Sequence, residues 1–179
     1  MSHARSGLFL LSLLLSPAVG DEAKPKVSPV DRLAALQKEQ KEAEAAYYKA
    51  AAATPDTPAG ALKDKELWKD FDKGQSDRFL AAVELAKADP KSDIGFSALE
   101  WVLLFPRSYY HPAGKPALEL VAKHHAANPK VGKIIMKLGY LLPSERADSY
   151  TEAVDLINKV AAKNRDRTAR GQAVFAIAL

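Results

Sequence analysis

The sequence contains no cysteine. A thiol nucleophile, a structural disulfide and a cysteine-ligated zinc are therefore excluded for this chain, and its fold must be held by packing alone. Glycine is sparse and is missing altogether from Gln75 to Ile94, and β-branched residues are few. With alanine abundant, that mix favours helices over sheets. Charge of one sign is also lacking: 26 Lys and Arg stand against 22 Asp and Glu, a formal excess of +4. In 'DRLAALQKEQKEAEAAYYK' the two signs alternate, as on a solvated helix surface. A nucleic-acid binder shows a dense basic face with interleaved aromatics, so no nucleic-acid partner is expected. No glycine-rich phosphate loop, no HExxH motif, no Ser-His-Asp set and no paired catalytic carboxylates stand out.

What is present is an apolar fraction of 47% over 179 residues, which suits one globular domain with a tail. The opening 'MSHARSGLFLLSLLLSPAVG' places Arg5 before an apolar run from Leu8 to Leu15, then Pro17 and the small residues Ala18, Val19 and Gly20. That order reads as a signal peptide over residues 1–20. The run is about half the length that spans a bilayer, so the expected location is periplasmic or secreted, with no membrane association after cleavage. Residues 21–30 hold two prolines and several charges and read as a flexible leader.

Residues 31–179 read as an all-α domain. Leu33, Leu36, Gln40, Ala43, Tyr47 and Ala50 fall at three- and four-residue steps and predict one long helix, capped by Asp31. After 'TPDTPAG' a shorter helix is expected over Leu62 to Phe71, closed by Gly74, with Ser76 capping the next. From there the chain repeats a grammar. The segments 'AAVELAKADP', 'ALELVAKHHAANP' and 'AVDLINKVAAKNRD' align, with turns at Asp89-Pro90, Asn128-Pro129 and Arg165-Asp166, some 37 to 39 residues apart. This spacing is that of helical-hairpin repeats and predicts stacked antiparallel hairpins, a short TPR-like solenoid, with an irregular helical bundle as the alternative. Leu120 is expected in the inter-hairpin core, where its truncation would cost about 2–5 kcal/mol. Gly171 is expected to mark tight packing of the last helix on the one before it. That last pattern, 'TARGQAVFAIAL', carries no polar cap, which points to a C-terminal continuation, a partner surface or a helix end docked into the core.

Five residues are candidates for contact with a ligand or partner. Glu100 and Trp101 lie in the apolar run 'FSALEWVLLFP', where a carboxylate must find a partner such as Arg78 or Arg107, or face a groove. Tyr109, Tyr110 and His111 form an aromatic loop, 'SYYHPAGKP'. It reads either as a binding site or as a cover for the preceding helix, with His111 capping that helix's terminal carbonyls. His124 and His125 point about 100° apart and cannot share a metal, one being buried and the other solvated. No catalytic residue, cofactor or metal site is assigned.

The segments 'AAYYKAAAA', 'FLAAVELAKADPKSDIGFSALEWVL' and 'AVDLINKVAAKNRDRTARGQAVFAIAL' together resemble the helical N-terminal region of certain exported bacterial thioredoxin-like proteins of the redoxin and peroxiredoxin type. The resemblance spans roughly Ala46 to Leu179. It implies a thioredoxin fold with its cysteines beyond Leu179, and no redox residue transfers onto this numbering. Two functions follow as expectations. One is a non-catalytic extracytoplasmic scaffold that binds a protein or peptide. The other is the accessory helical part of a secreted thiol-disulfide oxidoreductase, whose partner is a C-terminal thioredoxin-like domain.

Overall fold

The computed structural model describes residues 27–106, 111–141 and 150–178. The expected signal peptide, most of the leader, Tyr109 and Tyr110 lie outside them. Among the described residues there are seven α-helices and no strand: α1 (Pro29–Ala52), α2 (Pro58–Ala88), α3 (Asp93–Leu104), α4 (Gly114–His124), α5 (Gly132–Leu141), α6 (Tyr150–Lys163) and α7 (Arg167–Ala178), with a 3-10 turn at Pro129–Val131. None of them is long and apolar enough to cross a membrane.

Local chemistry sets the helix starts. Ser28, rather than Asp31, is the N-cap of α1. Its Oγ accepts from Asp31 N and donates to the Asp31 carboxylate at 2.7 Å, and Pro29 follows it. Thr57 caps α2 ahead of Pro58 in the same way, and Ser92 caps α3 through Gly95 N. The expected break at Gly74 is not made. One helix of 31 residues runs through both Gly74 and Ser76, so Ser76 is a mid-helix residue and not a cap. A lone glycine costs a helix only about 1 kcal/mol against alanine. The continuous stripe Trp68, Phe71, Gln75, Phe79, Ala82, Val83 and Ala86 outweighs that.

Beyond the α1–α2 hairpin the helices form two rows. In one, α2 touches α4 lightly and α4 packs closely on α6; in the other, α3 touches α5 and α5 packs most closely on α7. The rows enclose a core built from Phe79, Phe96, Leu99, Leu103, Leu118, Ile134, Ile135, Leu138, Leu156 and Ile157, all buried. The contacts between successive hairpins are uneven, and the packing is irregular. The turns that align in the sequence do meet in space. The His125 ring, in the second turn, lies close enough to the Pro90 backbone in the first for it to act against the effect of burial on the imidazole pKa. Asn164 Nδ2, at the third turn, donates to the carbonyls of Ala126 and Asn128 in the second, each at 2.9 Å. Of the two adjacent histidines, His125 is buried against Phe96 and His124 is half-buried. Burial pushes the His125 imidazole below its ordinary pKa.

The close approach expected at Gly171 occurs elsewhere. Among the described residues, a Cβ on Gly171 would meet nothing within 4 Å, whereas one on Gly132 would collide with the side-chain end of Gln172 and lie 3.6 Å from Ala169 Cα. The tight crossing is thus between α5 and α7, at Gly132, and Gly171 sits exposed on the outer side of α7. Gly171→Ala is accordingly expected to stabilise the protein by about 0.5–1 kcal/mol, read as a higher denaturant midpoint at unchanged slope. A drop in midpoint would mean that α7 has a neighbour on that side.

Candidate functional site

Helical spacing on α2 brings Trp68, Phe71, Asp72, Gln75 and Ser76 onto one face. Glu44 and Tyr48, one turn apart on α1, form the opposite wall. Phe105 and Pro106 at the end of α3, and His111 and Pro112 ahead of α4, close one end. Together these residues line a cleft of about 1070 Å³.

Its aromatic wall is pre-assembled. Tyr47, behind the cleft, stacks on Phe71 with ring centres 5.1 Å apart and meets Trp68 and Tyr48 edge-on. Trp68 nonetheless keeps 38% of its surface exposed and Tyr48 68%. Deeper in, a polar chain ties α1 to α2: Arg78 Nε donates to Gln40 Oε1 at 2.8 Å, and Gln40 Nε2 donates to Glu44 at 3.4 Å. Burial lowers the Arg78 pKa, an effect opposed by Glu39, Asp77 and Glu44. Arg78 Nη2 is buried without a hydrogen-bond partner among the described residues, but Arg78 does not line the cleft, whereas Gln75 does. Gln75 is only 2% exposed, and its Nε2 is buried with no hydrogen-bond partner among the described residues.

His111 does not cap α3. Its Nδ1 is hydrogen-bonded with Ser76 Oγ at 2.9 Å, its Nε2 lies 3.7 Å from Asp72 Oδ1, and its ring meets Phe79 edge-on. The carbonyls of Leu104 and Phe105 at the end of α3 are taken by Lys137 Nζ of α5 instead. A serine, a histidine and an aspartate are therefore brought together, although no such set stands out in the sequence. Two of them stand four residues apart on α2 and the third comes from the loop. The arrangement suits anchoring more than acyl transfer. Ser76 sits in mid-helix, where the neighbouring amides serve the α2 ladder and offer no backbone oxyanion site. It fixes the loop to α2 and sets the end wall of the cleft.

Of the other candidate residues, Glu100 and Trp101 line a separate, shallower groove of about 350 Å³ with Gln37, Ser97, Leu104, Phe105 and Pro106. Trp101 meets Phe79 edge-on. Glu100 does not pair with Arg78, which is engaged by Gln40. The sequence signal for the larger cleft is the unbroken stripe from Trp68 to Phe79, which is hidden when Gly74 is taken as a stop. Among the described residues, no group of three His, Asp or Glu is placed to hold a metal ion.

Comparison of the chain with protein-family models, with curated proteins and with solved structures gives no match.

Proposed function

We propose that this chain is an extracytoplasmic helical module that binds a protein or peptide segment and does no chemistry of its own. The observation that carries the reading is the Gln75 amide. A buried N–H without a partner is costly, on the order of 1–3 kcal/mol, and natural proteins keep few of them. Here it borders an aromatic cleft whose exposed rings would gain from cover. An arriving carbonyl would satisfy Nε2, and the rings would be shielded from water at the same time. Two further features support the reading: the export pattern of residues 1–20, and the helical-hairpin grammar with its linked turns, which is TPR-like in spacing though uneven in packing.

A second reading, the accessory helical part of a secreted thiol-disulfide oxidoreductase, is favoured by a different observation. Val174, Phe175 and Ile177 on α7 are each more than half exposed and form an apolar face that a following domain would cover.

Photocrosslinking separates the two. A photoreactive phenylalanine analogue at Tyr48 in the full gene product, within its own cells, should trap a separate polypeptide, and Trp68→Ala should abolish the adduct. Adducts formed only from position Phe175, and only within the same chain, would replace the first reading by the second.

A further inference from the structure

The chemistry of the cleft wall also selects its occupant, an inference that rests on the binding reading above. Among the described residues, the lining contains two carboxylates, Glu44 and Asp72, and no lysine or arginine. The whole chain carries an excess of base, 26 against 22, so the cleft reverses the sign of the molecule locally. The carboxylates differ in freedom. Glu44 already accepts from Gln40 and lies in the field of Arg78. Asp72 faces the more distant His111 ring edge, and its side chain is 45% exposed. One helical turn before it stands Trp68, with Phe71 beside it, and Tyr48 of α1 is on the facing wall. Aromatic faces set around a carboxylate are the surroundings that hold an alkylammonium or guanidinium group, through the ring quadrupole and the opposite charge together.

A bare cation does not satisfy everything there. Gln75 Nε2, one turn further along the same face, is a buried donor and calls for an acceptor. A ligand that offers both, a cationic side chain at Trp68 and Asp72 and a carbonyl some five to six ångströms further along, is a peptide. We infer that the cleft between α1 and α2 recognises an extended peptide segment through a lysine or arginine side chain, held by Trp68, Tyr48 and Asp72, with the neighbouring backbone carbonyl accepting from Gln75.

The test uses four fluorescein-tagged heptapeptide pools, randomised at the flanks and fixed at the centre as lysine, arginine, leucine or glutamate, read by fluorescence anisotropy on the full chain. The lysine and arginine pools should bind about tenfold more tightly than the leucine pool, and the glutamate pool should be the weakest. Trp68→Ala and Asp72→Asn should each remove most of that preference. Both residues are at least one-third exposed, so both variants should fold, which unchanged helical circular dichroism would verify. Binding of all pools alike, lost in Trp68→Ala, would overturn the cation preference and leave the binding reading standing. Absence of binding by every pool would overturn both. Preference for cations that survives both substitutions would place it outside this cleft and overturn the inference.

Discussion

Asn164→Ala is expected to lower the stability of the protein by about 2–4 kcal/mol, a large effect for a polar side chain. Asn164 is almost wholly buried, and it uses both ends of its amide. Nδ2 donates to the Ala126 and Asn128 carbonyls, and Oδ1 accepts from Asp166 N at 2.9 Å. Asp166 in turn caps α7, its carboxylate accepting from Ala169 N at 2.8 Å. Alanine would strand the Ala126 carbonyl, leave the Asn128 carbonyl with Val131 N as its remaining donor, and release the residue that positions the α7 cap. Asn164→Asp should be nearly as harmful, because a carboxylate would face the two carbonyls without a proton to give. Urea unfolding followed by helical circular dichroism measures both. A loss under about 0.5 kcal/mol in Asn164→Ala, typical of a surface site, would show that the turns are not coupled through this amide.

The second large effect belongs to the apolar core. Leu118→Ala should cost about 2–5 kcal/mol, whereas Leu120→Ala should cost roughly 1–2 kcal/mol. Leu118 is fully buried on the face of α4 shared with Ala117, Val121 and Ala122, and Leu120 only borders the core. Denaturant midpoints of the two variants, taken side by side, check the order. Equal losses would mean that α4 is rotated from the position described.

That pair also illustrates how much of the fold is legible in the residues alone. Proline stops at Pro90, Pro106 and Pro129, with serine caps before the apolar runs, act through neighbours along the chain. The helices from α3 onward are accordingly legible. Which leucine of α4 is deepest depends on what lies on either side of it, and α4 is flanked by both α3 and α6. The same limit explains the glycines. Gly74 and Gly171 look alike in sequence to Gly132, yet of the three only Gly132 has another helix's backbone close against it. His111 stands out in the sequence as a histidine in an aromatic loop, but its partners Asp72 and Ser76 lie on α2, more than thirty residues earlier. Local pattern carries no information about such a meeting. Glu100 and Trp101 are likewise legible as a polar and an aromatic residue in an apolar helix, though not as the lining of a groove apart from the larger cleft.

The length of α2 has a consequence for motion. Its C-terminal half, from Gln75 to Ala86, is embedded in the core, while before Gln75 only Gly60 is buried; on α1, buried residues end at Gln40. Amide exchange should therefore grade along one continuous helix, slow near Phe79 and fast toward Pro58, because local opening there exposes little apolar surface. The distal hairpin can fray or swing while the stacked helices stay intact. Tyr48 and Trp68 ride on that part, and Gln75, Ser76 and His111 sit at its root. The distal parts of both walls of the cleft are thus compliant and its floor is rigid, so occupants of different girth can be accommodated without disturbing the core.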